Sequence, residues 1–432
     1  MTLSGSSCVV LGHGRSGLAA ARLLASRGAR VTIADSSRAV VATEEFNVLR
    51  GADAEKDSTR YDLAILSPGI DPAVPLVGNV LRKGIPVIGE LELGFREASC
   101  PVVAVTGTNG KTTTTSLLEA MLQAAGVESR ACGNIGTPLC EVVQATRPGV
   151  LVVEVSSFQL ESIQSFRPAV AVWLNLNPNH LDRYPDMAAY KQAKLRIFEN
   201  QKGEDHAVVN ALSDLPELVA QRTTFSAFSS NADFTAEGTR IKHRGRLIVD
   251  LRETALAGAH NLENAMAALG AGLALGLALE KLVPALHTFR PPPHRCEWIR
   301  RTGEVDWIND SKSTNLDSLE KALFSQDRPV VLVAGGKDKG FGFEPLADTV
   351  SRRVRAAVLI GEMRHRIASA WPRTACHTAD SLEEAVATAA HIAQRGDTVL
   401  FSPGTSSFDM FRNYEHRGDT FRNLVQQLHT TP

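Results

Sequence analysis

The sequence predicts an α/β protein with three mainly parallel sheets, and three observations support this. Short apolar, β-branched runs alternate along the chain with Ala- and Leu-rich segments, an order typical of parallel sheets covered by helices. This alternation restarts twice, after segment 85–100 and after the proline run 291–293. The 432 residues also correspond to about three domains of roughly 150 residues each. We therefore expect domains at 1–92, 93–290 and 291–432.

The first domain begins with a glycine-rich turn between a strand and a helix. The apolar run 8–11 precedes Gly-His-Gly-Arg-Ser-Gly at 12–17 and a helix over about 18–27. The next apolar run, 31–34, ends at Asp35. This order of strand, glycines, helix and acidic strand end is the dinucleotide-binding fingerprint. The pattern indicates a pyrophosphate, and it leaves open a nicotinamide cofactor, another nucleotide, or glycines that serve packing alone.

The second domain carries a more specific motif, Thr-Gly-Thr-Asn-Gly-Lys-Thr-Thr at 106–113, between an apolar strand and a helix over about 112–125. Backbone N–H groups of such a loop bind phosphate together with the helix N-terminus. Lys111 can reach the β- and γ-phosphates, and the Thr112 hydroxyl can bind Mg²⁺. The loop is a short form, because Val105 stands where the general pattern has its first glycine. The alternative is a tight turn with an exposed lysine. Two phosphate loops on separate sheets favour two phosphorylated ligands over one redox cofactor.

Three further residues of this domain are candidates for chemistry. Glu154 ends an apolar strand, where open parallel sheets bind ligands, and it is a candidate Mg²⁺ ligand. The alternative is a capping or surface glutamate. His180 follows the apolar run 171–174, and a structural role is equally consistent with its position. Lys194 lies on a predicted helix over 187–198, and periodicity alone indicates a solvated lysine.

Three polar clusters in the third domain follow predicted strands. They lie at 309–315, at 335–339 after the strand 330–334, and at 402–408 after the strand 398–401. Any one of them is compatible with ordinary loop composition. Because the carboxyl ends of parallel strands share one edge, the three together favour a binding site for a small anionic substrate.

Composition argues against several classes of function. Lys and Arg number 46 and Asp and Glu 47, a formal net charge of −1, which disfavours a broadly basic nucleic-acid-binding surface. The six cysteines contain no Cys-x-x-Cys pair, so we expect reduced thiols, no zinc ribbon and a cytoplasmic protein. The most apolar helical stretch, 265–279, is too short for a membrane span and predicts a buried helix. Residues 233–251 predict a hairpin or meander.

These motifs together resemble the Mur ligases over essentially the whole chain. The phosphate loop and His-Asn-Leu-Glu-Asn at 260–264 are shared with folylpolyglutamate synthetases. The segments 156–161, 180–184 and 309–315 indicate the glutamate-adding branch. The resemblance implies a Rossmann-like N-terminal domain for the UDP-substrate, a central P-loop-ATPase-like domain, and a C-terminal Rossmann-like α/β domain for the amino acid.

The resemblance also implies roles for individual residues. The UDP group would be held by Arg15, Ser16, Asp35, Ser36 and Gly69, and the muramoyl-alanine portion by Asn134 and His180. ATP would be bound by Gly107, Thr108, Asn109, Gly110, Lys111, Thr112, Thr113, Asn264, Arg295 and Asp310. Two Mg²⁺ ions would be bound by Thr112, Glu154, His180 and Lys194, the last as a carbamate. The catalytic residues would be Lys111, Glu154, His180 and Lys194. The amino acid and product would contact Lys312, Thr314, Lys339, Ser407, Phe408 and Tyr414.

The implied reaction is ATP-dependent addition of D-glutamate to UDP-N-acetylmuramoyl-L-alanine through an acyl phosphate, in cytoplasmic peptidoglycan precursor synthesis. The implied protein is a monomer without nucleic-acid partners or membrane insertion. Two departures affect the amino-acid site: Gly-Thr-Ser at 404–406 replaces a frequent Ala-Cys-Ala, and Lys337 is a rival to Lys339. The alternatives are another Mur ligase or a folylpolyglutamate-synthetase-like ligase, a nicotinamide-dependent oxidoreductase, and a nucleotide-binding regulator without catalysis.

Overall fold

The structure is a computed structural model, and it describes residues 3–38, 40, 44–134, 136–180, 183–256, 259–290, 293–326, 328–340 and 342–428. Residues 291–292 of the proline run, and 181–182 of the 180–184 motif, lie outside the described residues. The chain forms two compact units. The first unit comprises Met1–Leu176, Ala188–Asp250 and Glu263–Phe289. The second unit comprises Asn177–Met187, Leu251–Leu262 and Arg290–Pro432. In the described part of the chain, no helix is both long and apolar enough to cross a membrane.

The first unit contains a five-stranded parallel sheet in the order β3-β2-β1-β4-β5. Its strands are β1 (Ser7–Leu11), β2 (Arg30–Asp35), β3 (Asn47–Arg50), β4 (Leu63–Leu66) and β5 (Val87–Gly89). The accompanying helices are α1 (Arg15–Ser26), α2 (Ala52–Glu55), α3 (Pro75–Arg82) and α4 (Glu90–Glu97). The strand order reverses between β1 and β4, and ligands of open α/β sheets bind at such a point.

The segment 85–100 is predicted only to separate two sheets, but part of it belongs to the first sheet. Residues 87–89 form the edge strand β5 of the first sheet, paired in parallel with β4. Helix α4 follows directly and buries Leu91 and Leu93. The strand has only three residues, so its strand character depends on pairing with β4, which the local sequence does not show.

Gly17 allows α1 to approach the glycine turn closely. A Cβ atom at this position would lie 1.9 Å from the carbonyl oxygen of Gly12. We therefore expect Gly17→Ala to displace the turn and to destabilise the protein by about 1–3 kcal/mol, the usual cost of overpacking. Thermal unfolding measures the effect. Gly14→Ala is the matched control, because its Cβ would meet no atom within 4 Å. Equal melting temperatures for the two variants would contradict the packing argument.

The first unit also contains a nine-stranded sheet in the order β14-β13-β12-β11-β10-β9-β6-β8-β7. Its strands are β6 (Val102–Thr106), β7 (Ser129–Gly133), β8 (Val150–Glu154), β9 (Val170–Trp173), β10 (His206–Asn210), β11 (Gln221–Ser226), β12 (Phe234–Glu237), β13 (Arg240–His243) and β14 (Arg246–Asp250). Strands β12, β13 and β14 pair antiparallel, which confirms the predicted meander, and the other pairings are parallel.

The α-helices between these strands and after them are α5 (Lys111–Ala124), α6 (Leu139–Ala145), α7 (Ser157–Leu160), α8 (Met187–Leu195), α9 (Ala259–Ala274) and α10 (Leu279–Thr288). Short 3-10 helices lie at Arg196–Phe198 and Leu251–Glu253. The predicted helix 265–279 is wrong in its bounds: α9 ends at residue 274, because Gly276 adopts the left-handed conformation that ends helices.

Helix α4 carries two fully buried acids with different surroundings. Glu92 accepts hydrogen bonds from the backbone N–H groups of Gln164, Ser165 and Phe166. Glu90 is only 1 % exposed and accepts one bond, from the N–H of Cys140 at 2.7 Å, while its Oε2 has no partner among the described residues. Burial raises the pKa of Glu90 from 4.5 to about 7, although the bonds with Cys140 oppose the shift.

Glu90 should make the protein less stable as the pH rises through this window. Between about pH 4.5 and 7 the unfolded chain loses a proton that the folded chain keeps, so the free energy of unfolding falls. Between these pH values the free energy of unfolding of the wild type should fall by about 3 kcal/mol relative to that of Glu90→Gln, since one pKa unit corresponds to about 1.4 kcal/mol. Urea unfolding at both pH values measures this, with the exposed Glu280→Gln as control. The same pH dependence in all three proteins would mean that Glu90 is ionised when folded.

The second unit contains a six-stranded sheet in the order β15-β16-β20-β17-β18-β19, parallel except for β15. Its strands are β15 (Glu297–Thr302), β16 (Val305–Asn309), β17 (Val330–Gly335), β18 (Val354–Ile360), β19 (Ala375–Thr378) and β20 (Thr398–Phe401). The helices are α11 (Leu316–Phe324), α12 (Ala347–Arg353), α13 (Arg364–Ala370), α14 (Leu382–Ile392) and α15 (Tyr414–Gln427), with a 3-10 helix at Glu344–Leu346. Separate hydrophobic clusters fill this unit, around Leu332 and Leu359 in one and Val333 and Val358 in the other. Because β16, β20 and β17 are neighbours, the three predicted polar clusters follow their carboxyl ends at one edge.

Candidate active site

The phosphate loop 106–113 joins the buried strand β6 to helix α5 in the first unit. Gly110 caps α5 in the left-handed conformation, with a φ of 84°. A Cβ atom there would lie 2.2 Å from Oδ1 of Asn264, so the loop requires glycine. Asn264 also accepts a hydrogen bond from Thr114 at 3.3 Å. The first turn of α5, in which Thr112 and Thr113 are both buried, places backbone N–H groups at a helix N-terminus, where phosphate groups bind.

The Lys111 ammonium lies directly over this loop. Its Nζ donates to the carbonyl oxygens of Gly107 and Thr108, both at 2.9 Å. The loop is held from the other side by Asn175, which accepts from the N–H of Thr108 at 3.0 Å and from that of Asn109 at 2.9 Å. Sequence reasoning missed Asn175. It follows a buried strand as Glu154 does, and the same rule applied to β9 would have found it.

Glu154 is buried rather than a surface or capping residue, so that alternative is wrong. It ends β8, which lies between β6 and β7, and it is 3 % exposed. Thr112 Oγ1 donates to one carboxylate oxygen at 2.7 Å, and Asn134 Nδ2 donates to the other at 2.8 Å. The sheet therefore brings together three predicted residues from three separate segments.

Lys194 is also buried, and its interpretation as a solvated lysine is wrong. Its side chain is 1 % exposed, and Nζ lies 3.0 Å from the carbonyl oxygen of Gly107 and 3.3 Å from Thr106 Oγ1. Burial, reinforced by the charge of Lys111 and opposed by Glu154, lowers the pKa of Lys194 well below its usual range. This shift favours the neutral form of the amine, which lies beside the phosphate loop.

The residues assigned to the UDP group lie at the carboxyl edge of the five-stranded sheet. Arg15 and Ser16 begin α1, Asp35 ends β2 and is followed by Ser36, and Gly69 follows β4. Asp35 fixes the glycine turn, since its carboxylate accepts from the N–H groups of His13 at 2.9 Å and Ser37 at 2.8 Å. Arg15 is exposed and pairs weakly with Glu141 at 3.9 Å. These loops meet where the strand order reverses, as a nucleotide site requires.

Asp310 and Arg295 lie together in the second unit. Asp310 accepts from Ser402 Oγ at 2.8 Å and from the N–H of Cys296 at 3.1 Å. Burial raises the pKa of Asp310 to about 7, although these hydrogen bonds and the positive charge of Arg295 act to lower it. His294 and Cys296, on either side of Arg295, both have positive φ, at 66° and 46°. Non-glycine residues rarely adopt this conformation, and such strain is concentrated at functional positions.

Lys312 and Tyr414 contact each other, with the Lys312 ammonium 3.7 Å from the centroid of the Tyr414 ring. The loop that carries Lys312 is held by Arg417, which sequence reasoning missed. Arg417 is 1 % exposed and donates to Ser311 Oγ at 3.1 Å and to the carbonyl oxygens of Ser311 and Thr405 at 2.8 and 3.2 Å. Burial lowers the pKa of Arg417 to about 9. No local pattern marks this residue, because its partners come from distant loops.

The two rival lysines have different surroundings. Lys339 is half-buried, and its Nζ donates to the carbonyl oxygen of Thr314 at 3.3 Å. Lys337 is exposed, and its backbone is bonded to the loop that follows β20, through the carbonyl oxygen of Ser406 at 2.9 Å and the hydroxyl of Thr405. Lys339 thus lies beside another predicted amino-acid-binding residue, whereas Lys337 shapes the loop with its backbone.

Gly-Thr-Ser at 404–406 replaces the frequent Ala-Cys-Ala, and the serine that follows it, Ser407, is buried. Gly404 has a φ of 70° and donates its N–H to the carbonyl oxygen of Ser313 at 3.1 Å. Ser407 is 3 % exposed, and its carbonyl oxygen accepts from the N–H of Phe411 at 2.9 Å. Phe408 is 66 % exposed, so its ring is available to a ligand.

His180 lies in the segment 177–187 of the second unit. Its φ is 56°, and its N–H donates to Asn179 Oδ1 at 3.0 Å. Its carbonyl oxygen accepts from the N–H of Tyr184 at 2.9 Å. A left-handed histidine in a tight turn is unusual, and the strain agrees with a functional position.

Three family models match the chain in order. The Mur ligase MurD-like N-terminal domain matches residues 6–89, the Mur ligase middle domain 105–272, and the Mur ligase glutamate ligase domain 294–404. Solved structures share the fold. The UDP-N-acetylmuramate–alanine ligase of Thermotoga maritima is 18 % identical and has a TM-score of 0.62, and the match covers 98 % of this chain and 99 % of that chain. The MurF ligase of Thermotoga maritima, 17 % identical, has a TM-score of 0.63 over 98 % and 96 %.

Curated relatives align over almost their full length. The UDP-N-acetylmuramoylalanine–D-glutamate ligase of Trichlorobacter lovleyi is 42 % identical over 99 % of this chain and 100 % of its own. The protein of the same name from Geobacter metallireducens is 42 % identical, and the alignment covers 100 % of this chain and 99 % of the relative. The one from Nitratidesulfovibrio vulgaris is 43 % identical, and the alignment covers 98 % of this chain and 97 % of the relative. The two glycine-rich turns of the first unit, the polar edge of the second and these full-length matches lead to one conclusion: the chain belongs to the Mur ligase family.

Proposed function

We propose that this protein is an ATP-dependent ligase that adds D-glutamate to UDP-N-acetylmuramoyl-L-alanine, in cytoplasmic synthesis of peptidoglycan precursors. The observation that carries the proposal is the phosphate loop with Lys111, Thr112 and Glu154 assembled at one edge of the nine-stranded sheet. The full-length relatives bear the name of this activity. A carboxylate is a poor acyl donor, and phosphorylation by ATP supplies the leaving group that amide formation needs.

The first unit would perform the phosphoryl transfer. The loops around Asp35 would hold the UDP group, and Asn134 would contact the muramoyl-alanine portion, whose carboxylate attacks the γ-phosphate of ATP to give an acyl phosphate and ADP. Lys111 and the amides of α5 would neutralise the charge of the transferring phosphoryl group. Buried Thr106 and half-buried Asn175 keep this loop in place, so little reorganisation is required during the reaction.

The donor set at this edge fits magnesium. The described residues contain no group of three or more His, Cys, Asp or Glu side chains able to hold a metal. Thr112 Oγ1 and Glu154 nevertheless offer two hard oxygen donors, and Mg²⁺ in nucleotide sites takes few protein ligands besides phosphates and water. We infer that Thr112, Glu154, His180 and carbamylated Lys194 hold two ions. Bound Mg²⁺ would offset the negative charge of the phosphates.

Lys194 is suited to carbamylation, since only a neutral amine captures CO₂. Its lowered pKa supplies that amine, and the product is an anionic oxygen donor in place of a buried cation. The carbamate would also relieve the repulsion between Lys194 and Lys111 that contributes to the lowered pKa.

The second unit would bind the amino acid. Lys312, Thr314, Lys339, Ser407, Phe408 and Tyr414 would hold D-glutamate and the product, while Arg295 and Asp310 would contribute to ATP binding together with Asn264. The glutamate amine attacks the acyl carbon, and the tetrahedral intermediate collapses with release of phosphate. Lys339, rather than Lys337, would meet the substrate, because its ammonium lies beside Thr314.

We also propose the division into domains at 1–92, 93–290 and 291–432. Each of the three family models falls within one of these ranges. We propose that the protein acts as a monomer, since the implied roles are all filled by this chain.

One assay tests the proposed function. ADP release is measured with UDP-N-acetylmuramoyl-L-alanine and one amino acid at a time, including D-glutamate and L-glutamate. Turnover with D-glutamate alone supports the proposal. Turnover only with another amino acid indicates a sister ligase. Oxidation of a reduced nicotinamide without ADP release would instead support the oxidoreductase suggested by the N-terminal glycine turn.

A further inference from the structure

The second unit has a concave, cationic surface on the edge of its sheet opposite to the polar edge that follows β16, β17 and β20. We call it the arginine groove and define it by Phe324, Arg328, Arg352, Arg353 and Arg355. These residues precede or begin strands β17 and β18, so they lie at the amino ends of the parallel strands. The groove contains a cavity of about 670 Å³ that is open to solvent. That volume is typical of sites for small molecules of nucleotide size.

The charge of the groove is one-sided. Its described lining residues include four arginines and no Asp or Glu, in a chain whose formal net charge is −1. Arg328 donates to Asp306 at 3.0 Å, and Arg355 forms a bidentate pair with Asp397 at 2.8 and 3.0 Å. These two carboxylates lie outside the lining and fix two of the guanidinium groups without covering the cavity.

The other two arginines are not neutralised within the described chain. Arg352 donates from Nε to the carbonyl oxygen of Asp348 at 3.1 Å. Arg353 donates from one terminal nitrogen to the carbonyl oxygen of Gln326 at 3.3 Å. Among the described residues neither forms an ion pair, and each retains N–H groups for a ligand. Guanidinium groups present planar pairs of donors that match the oxygens of a phosphate.

Phe324 adds an aromatic surface beside these charges. Its ring is 54 % exposed, although large apolar side chains usually lie inside. The guanidinium carbon of Arg353 lies 4.5 Å from the centroid of this ring. This cation–π contact holds Arg353 in place before a ligand arrives, and the exposed part of the ring is available for stacking.

We propose that the arginine groove is a second nucleotide site, which binds a nucleoside polyphosphate at a place remote from the polar edge that follows β16, β17 and β20. The phosphates would contact Arg328, Arg352 and Arg353, and the base would stack on Phe324. A cavity of this size with an exposed aromatic side wall favours a small molecule that carries a base over an extended acidic polypeptide. The inference does not depend on the proposed ligase activity.

The first experiment locates binding on the full-length wild-type chain. Hydrogen exchange is followed with and without ADP, and separately with inorganic tripolyphosphate. We expect protection by ADP in peptides covering 324–329 and 349–355, in addition to any at 106–113. Protection confined to the phosphate loop would overturn the proposal.

The second experiment measures affinity by calorimetry, with two variants and a matched control. Arg352→Gln combined with Arg353→Gln should weaken binding of ADP at this site at least tenfold, while the exposed Arg222→Gln of the first unit should leave it unchanged. Phe324→Ala should abolish the preference for ADP over tripolyphosphate. Unchanged ADP binding in both groove variants would refute the site, as would binding of poly-L-glutamate with no binding of ADP. Thermal unfolding of each variant checks that the fold is retained.

Discussion

Lys111→Ala should abolish ATP-dependent phosphate release while UDP-substrate binding persists. The ammonium lies over the phosphate loop, 2.9 Å from two of its carbonyl oxygens. Removing one preorganised donor from a developing charge typically costs about 100- to 1000-fold in rate. We expect at least this loss in ADP release from the full reaction mixture.

The variant also separates the two phosphate-binding edges of the first unit. The UDP loops belong to the five-stranded sheet, whose glycine turn is fixed by Asp35, so calorimetry should show unaltered binding of UDP-N-acetylmuramoyl-L-alanine. Lys202→Ala is the matched control, because Lys202 is exposed in the same unit. Full turnover by Lys111→Ala would remove the phosphate loop from the mechanism.

Lys194→Ala should lower activity by roughly 100-fold or more, and short carboxylic acids should restore part of it. Loss of a group that merely orients a metal ligand costs about 10- to 100-fold, and a carbamate ligand contributes more directly. Alanine leaves room beside Thr106 and Gly107 in which a small carboxylate replaces the carbamate oxygens. Activity is measured with and without added formate or acetate.

Two further variants make this test specific. Lys194→Met retains most of the volume and should be inactive without rescue, because the space for the acid is filled. Lys191→Ala lies on the same helix, pairs only with exposed Asp214 and should behave as wild type. If activity does not depend on Lys194 at all, the carbamate has to be discarded.

The glycine motifs were predictable because their demands are local. Gly110 caps α5 with positive φ, and Gly12, with a φ of 103°, opens the N-terminal turn. Both follow a short apolar strand and precede a helix, so the nearest neighbours in sequence determine the geometry. The parallel pairing of β16, β20 and β17 likewise followed from their apolar runs.

The buried charges were not predictable from periodicity. Lys194 lies on a helix of mixed polarity, and only packing against the end of β6 buries it. Arg417 bonds to Ser311 and Thr405, which are distant in sequence, and no spacing rule joins them. Asn175 differs from these residues, because its position just after strand β9 would have been enough to predict it.

By itself the sequence determined where the two glycine-rich turns lie and which elements flank them, since glycine acts through backbone geometry over a few residues. The tertiary structure alone decided which charged side chains are buried and against what. Glu154, Lys194 and Asp310 owe their surroundings to strands and loops far along the chain. The protonation of Lys194 and Asp310 depends on desolvation, which is a property of the packed unit and is not encoded in any short segment.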